Sequence, residues 1–162
     1  LILPGVGSFD YAIKTLRSSG WVDYIERAVL HEKKPILGIC LGMQLFCSSS
    51  EEGKEKGLNW IDASVIKFKK ENGIKIPHMG WNYLSVNKKN NLIEQDTFSD
   101  IRFYFVHSYH VACNDKSDVL SCTNHGYKIV SALNKDNIYG VQFHPEKSHK
   151  YGLALFKNFD KI

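Results

Sequence analysis

The stretch Gly38-Ile39-Cys40-Leu41-Gly42 sets one thiol between two glycines at the end of an apolar run. The run "PILGI" (35–39) reads as a buried strand, and "LGMQLFCSS" (41–49) reads as a helix. A strand that turns on one residue into a helix is a nucleophile elbow, here of G-x-C-x-G form. The glycines have a physical job, because a Cβ at either position would collide with neighbouring backbone. The helix start aims N–H groups and the positive end of its dipole at the thiol, which favours thiolate. The Leu41 N–H points to where an oxyanion would form. Free cysteine is also among the most buried residue types. The elbow alone therefore leaves a core thiol and a nucleophile both open. Cys47, Cys113 and Cys122 have no such frame and read as structural.

A thiol nucleophile needs a base, and the base needs a group to orient it. "GVQFHPEKS" (140–148) offers both. His144 ends a predicted strand, Pro145 fixes the chain, and Glu146 follows two residues after His144. An extended H-x-E points both side chains the same way. The carboxylate can then hold one imidazole nitrogen and leave the other for a thiol. The remaining histidines read differently. His107 and His110, three apart in a strand, fall on opposite faces, which argues against a shared metal. His78 reads as structural, and His31, His125 and His149 as exposed.

These side chains need a scaffold. "LIL" (1–3) reads as a short buried strand and "PGVGS" (4–8) as a turn. A helix follows from about Asp10 to Ser19, stopped by Gly20. A second helix carries Trp21, Ile25, Ala28 and Val29 along one apolar face. The first fifty residues thus read strand–helix–strand–helix, the pattern of a parallel sheet. The middle of the chain is β-rich: 63–68, 83–86, 102–113, 119–123, 128–133 and 138–143, with "NHG" (124–126) as a hairpin turn. Tyr151 to Asp160 returns to helix. The expected class is α/β with three layers: a mostly parallel central sheet flanked by helices, with antiparallel additions, in one domain over 1–162.

Composition narrows the function classes. The 162 residues suffice for one sizeable core, and 43% hydrophobic with 23% charged is ordinary for a globular protein. The formal charge of +4 is mild. Its densest patches, "KFKK" (67–70) and "NKKNN" (87–91), read as solvated surface. No stripe of arginines with aromatics points to nucleic acid. The four cysteines form no C-x-x-C pair, so a zinc ribbon is not expected. No apolar run approaches the roughly 20 residues that span a membrane. The thiols read as reduced, in a cytoplasmic protein.

"PGVGSF", "GICLGMQ", "PHMGWN", "FVHSY" and "GVQFHPEKS", in this order, resemble the class I, triad-type glutamine amidotransferases. The likeness runs from residue 1 to about 160. "GICLGMQ" and "FHPEKS" carry the superfamily. The other motifs are most similar to the glutaminase subunits of imidazole glycerol phosphate synthases. The resemblance implies a flavodoxin-like core. It also implies a nucleophile at Cys40, a general base at His144 and an orienting carboxylate at Glu146. The oxyanion hole would come from the backbone at Val6 and Leu41, with the glycines around Val6 making a peptide flip cheap. L-Glutamine would lie against Gly7, Gln44, Ser108 and Tyr109. Trp81, Tyr104 and Lys147 match positions facing a (β/α)8 cyclase subunit in a heterodimer.

By the same resemblance, glutamine is hydrolysed to glutamate and ammonia, which passes to the partner making imidazole glycerol phosphate and an aminoimidazole carboxamide ribotide. No metal or organic cofactor is implied. Two alternatives stay open: a related subunit feeding a sugar amidotransferase in surface-polysaccharide synthesis, and a stand-alone hydrolase with a cysteine nucleophile that cleaves γ-glutamyl peptides. Family members begin with a further strand–helix–strand segment before "LILPG", so the sequence reads as N-terminally truncated.

Overall fold

The computed structural model describes residues 1–69, 73–93 and 100–162. Lys70, part of one lysine-rich patch, lies outside them. The chain runs β1 (Ile2–Gly5), α1 (Phe9–Ser18) and α2 (Trp21–Glu26), which continues as a π-helical turn over Arg27–His31. Next come β2 (Ile36–Cys40), α3 (Leu41–Leu45), β3 (Ser49–Ser50), β4 (Ala63–Lys67), β5 (His78–Tyr83) and β6 (Ser85–Val86). They are followed by β7 (Arg102–His107), β8 (Tyr109–Cys113), β9 (Val119–His125), β10 (Tyr127–Lys135), β11 (Ile138–Val141) and α4 (His149–Phe159).

The central sheet has six strands in the order β1-β2-β11-β10-β9-β6. Strand β2 is buried along its whole length and pairs in parallel with β1 on one side and β11 on the other. An all-apolar strand suits this place, since both of its faces are covered. Ile36 joins Phe9, Ile13, Val29, Met43 and Phe46 under α1–α3. Leu37 and Ile39 join Phe105, Phe143, Tyr151 and Leu155 under α4. The alternation of one strand thus divides two cores, and the three-layer α/β class holds. From β11 outward the pairing turns antiparallel, through β10, β9 and β6. The sheet is therefore mixed, with a larger antiparallel share than the expected mostly parallel sheet. Two smaller sheets, β3-β4-β8 and β5-β7, pack beside it.

Several local expectations are corrected. Strand β1 is not buried: Ile2 is 51% exposed, because β1 has a strand partner on one side only among the described residues. Trp21 is exposed rather than on a buried face. Helix α2 lasts six residues, and the wider π turn then re-phases the chain so that Val29 alone is fully buried. Helix α3 stops at Leu45 because the Phe46 carbonyl accepts N–H bonds from Trp60 and Ile61, which draws the chain towards β3. The stretch 102–113 is two strands, not one. It breaks at Ser108, with β7 pairing β5 and β8 pairing β4. Lys88 is half-buried, not a free surface charge, and donates to the carbonyls of Ser117 and Asn134. The "NHG" hairpin turn is found, with Gly126 at φ 75°.

The elbow glycines behave as their chemistry requires. A Cβ on Gly38 would lie 2.7 Å from the Met43 nitrogen and against the Phe46 ring. A Cβ on Gly42 would overlap the Leu3 carbonyl oxygen. Only glycine lets α3 sit this close to β1. Gly42→Ala is expected to cost about 3 kcal/mol of stability, the upper end for overpacking a close-packed core. Urea unfolding of the two proteins measures it, and a loss below about 1 kcal/mol would mean that α3 moves away freely.

Candidate active site

Three strands end at one level. Gly5 of β1 pairs with Cys40 of β2, and Ile39 pairs with Val141 of β11. The chain leaving each strand therefore enters the same space: Val6–Gly7, Leu41, and Gln142 to His144. A cleft of about 380 Å³ opens there, lined by both Cys40 and His144. Cys40 has φ 54° and ψ −109°. This is backbone that a side-chain-bearing residue seldom adopts, and such strain gathers at functional sites.

His144 is almost wholly buried, and its Nδ1 lies 2.6 Å from Glu146 Oε1. An ionised carboxylate only accepts, so Nδ1 carries a proton, and in the neutral ring Nε2 is then the lone-pair nitrogen. That Nε2 is the only buried side-chain nitrogen or oxygen without a hydrogen-bond partner among the described residues. The backbone holds the ring in place. The His144 N–H donates to the Tyr104 carbonyl at 2.8 Å, and Ser148 Oγ donates to the His144 carbonyl at 2.6 Å. Glu146 does not reach His144 through extended chain, as the sequence pattern implied. Pro145–Lys147 form a 3₁₀ turn that folds the carboxylate back onto the ring.

The electrostatics of Cys40 differ from the sequence expectation. Burial dominates and pushes its thiol up to about 11, and the Glu146 carboxylate adds to the rise. The Leu41 N–H, the Gln142 amide and the Lys147 ammonium oppose it without overcoming it. A helix of five residues carries too small a dipole to offset the lost hydration. The resting site therefore holds a neutral thiol beside a free imidazole nitrogen.

The structure brings most of the other expected residues to the cleft. Val6, Gly7, Leu41, Gln44, Ser108 and Tyr109 all line it, and so does Lys147. Trp81 and Tyr104 do not. They meet edge to face at 6.3 Å on the adjoining surface, where Trp81 also stacks on His149 at 5.8 Å. Three residues escaped the sequence reading. Glu52 lines the cleft and accepts the Phe9 N–H at 2.8 Å, but nothing local in "SSSEEGKEKG" marks it. Gln142 is fully buried and donates to Cys40 Sγ at 3.7 Å. Its place beside the strand-end histidine was the signal that could have found it. His107 also lines the cleft.

The break at Ser108 also undoes the expected separation of His107 and His110. Both rings pack on Phe68, at 5.3 and 4.9 Å. His125 is half-buried and stacks on His78 at 4.1 Å rather than lying exposed. Burial lowers His78 to about 4 and His107 to about 3, so both rings are neutral. No group of three metal-ligating side chains converges among the described residues. No helix among them is long and apolar enough to cross a membrane.

A family model described as glutamine amidotransferase class-I matches residues 1–162. The chain belongs to the class-I glutamine amidotransferase family. It is 55% identical over 161 residues to imidazole glycerol phosphate synthase subunit HisH 2 of Methanococcus maripaludis, covering 99% of this chain and 79% of that protein. It is 48% identical to the subunit of the same name from Pseudomonas aeruginosa, covering 100% of this chain and 80% of that one. A solved glutamine amidotransferase superposes with a TM-score of 0.72 at 17% identity, over 99% of this chain and 77% of its own. That last likeness speaks for the fold alone.

The buried Cys40 thiol has a testable signature. Alkylation needs thiolate, so a raised thiol becomes reactive only at higher pH. The rate of Cys40 modification by iodoacetamide is expected to climb towards a midpoint near pH 11, against an ordinary value of 9.0. Peptide mass spectrometry across pH 7–11.5 reads it, and a midpoint below 8 would show that the thiolate is already favoured at rest.

Proposed function

We infer that this chain hydrolyses L-glutamine to glutamate and ammonia, as the glutaminase subunit of an imidazole glycerol phosphate synthase in histidine biosynthesis. The observation that carries the chemistry is the bare, buried Nε2 of His144, fixed by Glu146 in the cleft that holds Cys40. The identity of 55% over nearly the whole chain to a HisH subunit supports the pathway.

The mechanism follows from the protonation states. Cys40 Sγ attacks the side-chain carboxamide carbon of glutamine while its proton passes to His144 Nε2. The imidazolium that forms is stabilised by Glu146. Negative charge grows on the amide oxygen and is met by the Leu41 N–H and a backbone N–H at Val6. Gly7, at φ 102°, lets the peptide beside Val6 turn at little cost. His144 then returns the proton to nitrogen as the C–N bond breaks and ammonia leaves. Water enters, gives a proton to Nε2 and attacks the γ-glutamyl thioester. The C–S bond breaks, Sγ regains its proton, and glutamate departs. Gly7, Gln44, Ser108 and Tyr109 hold the rest of the substrate. Glu52, the acidic residue in the cleft lining, suits its α-ammonium group.

In this reading the ammonia goes to a (β/α)8 cyclase subunit in a cytoplasmic heterodimer. Trp81, Tyr104 and Lys147 form the docking face. The partner releases imidazole glycerol phosphate and the aminoimidazole carboxamide ribotide.

Glutamate release should rise by roughly tenfold or more, a barrier lowered by at least about 1.4 kcal/mol, when the cyclase subunit and its nucleotide ligand are added. No rise would point to a different synthase. Cys40→Ala is expected to abolish glutamate release while the complex still makes product from added ammonia. Loss of both activities would refute the division of labour.

A further inference from the structure

One backbone carbonyl sets the direction of two hydrogen-bond paths behind the cleft. The Tyr109 carbonyl oxygen can only accept. It takes one bond from Gln44 Nε2 at 3.3 Å and one from His107 Nδ1 at 2.7 Å. The first bond decides which end of the Gln44 amide faces inward. Its nitrogen also donates to Gln142 Oε1 at 3.0 Å. With its oxygen thus engaged, Gln142 has only its NH₂ group left for Cys40 Sγ, at 3.7 Å.

The second bond fixes the other direction. His107 carries its proton on Nδ1, so its Nε2 accepts from His78 Nδ1 at 2.9 Å. His78 Nε2 then accepts from the Asn82 amide at 3.1 Å. The Asn82 amide is itself set, because its oxygen takes the Tyr83 N–H and its nitrogen also donates to the Asn124 carbonyl. Each hydrogen bond in this run from β5 to the thiol pairs a donor with an acceptor. Gln44, Gln142, His78 and His107 are all buried.

We propose that Gln142 is a further catalytic residue: the run anchored on the Tyr109 carbonyl locks its amide so that an N–H, and not the carbonyl, meets the sulfur as the thiolate forms. The proposal rests on Cys40 being the nucleophile. A side-chain amide free to flip would present its oxygen half the time, and that oxygen would repel the thiolate. At a buried sulfur a fixed donor acts without having to reorganise. His78 and His107 are positioning residues that hold the carbonyl from behind.

The test follows Cys40 alkylation by iodoacetamide against pH in the full chain, with the Cys40 peptide counted by mass spectrometry. The charged or titratable groups facing the sulfur's cleft are His144, Glu146 and Lys147 from the turn after β11, and Glu52, His107 and Tyr109 across it. The Gln142 substitutions leave all of them in place. Gln142→Met keeps length and shape but donates nothing. It should raise the Cys40 midpoint by about one pH unit, a roughly tenfold slower reaction at any lower pH. Gln142→Glu, which offers only acceptors, should raise it further. His107→Asn keeps a donor near the Tyr109 carbonyl and should stay near wild type. His107→Leu keeps none and should move the midpoint upward.

An unchanged midpoint in a folded Gln142→Met protein would overturn the proposal. Equal behaviour of the two His107 variants would overturn the positioning role of His107, and should Gln142→Met fail to fold, a Gln142→Glu midpoint no higher than wild type would overturn the lock. The assay needs neither glutamine nor a partner. A wild-type protein that released no glutamate would count against the proposed function, while the alkylation profiles would still decide the lock.

Discussion

The site depends on one constraint of register. Strands β1, β2 and β11 are parallel neighbours, and their C-terminal ends stop at the same height. Parallel pairing gives all three exits one direction. A glycine-flanked loop, a thiol and a histidine from distant parts of the sequence therefore arrive together. The apolar run of β2 enforces that register, because a slip of one residue would exchange its two buried faces. Gly38 and Gly42 complete it by letting α3 lie against the strands without displacing them. Nothing in the loops could recover the site if this pairing shifted.

Within that frame the protein trades thiolate stability for control. Burying Cys40 removes water from the sulfur and keeps the proton on it at rest. A neutral thiol resists oxidation and stray alkylation better than a thiolate does. In the proposed reaction the cost falls on His144, which takes the proton when substrate is in place, and its burial with one empty nitrogen suits that task. The strained backbone at Cys40 and the unpartnered Nε2 are both unfavourable for the folded chain alone. They stand a few residues apart from large aromatic contacts, including Phe103 stacked on Phe143 at 4.0 Å, that can offset such local costs.

The sequence was legible where chemistry is local. Cys40 between glycines, and His144 two residues from Glu146, are adjacent in the chain, so their types and spacing could be read directly. The α/β class was legible for the same reason, since β2 announces itself as a continuous apolar run. What failed depended on neighbours in space. The exposure of Ile2 depends on which strands flank β1. The break at Ser108 depends on β7 and β8 choosing different partners, and with it goes the meeting of His107 and His110 on Phe68. The preference for thiolate failed because helix length and burial are not visible in a motif. Gln142 sits within a legible motif, but its meaning lies in the Gln44 amide 98 positions away.

Strand β5 shows how such long-range order is kept with little sequence. Its pleat sends Met79, Trp81 and Tyr83 outward, where all three are exposed, and turns His78 and Asn82 inward. The outward set, with Trp81 on His149 and Arg102 5.9 Å from its ring, forms an aromatic face. The inward set begins the hydrogen-bond run that ends at Cys40. One period-two pattern thus places a surface and a buried polar anchor on opposite sides of a single strand. A polar run buried this deeply is stable only when each member is satisfied. Its members therefore cannot be exchanged one at a time for apolar residues of similar size without leaving a neighbouring donor or acceptor stranded.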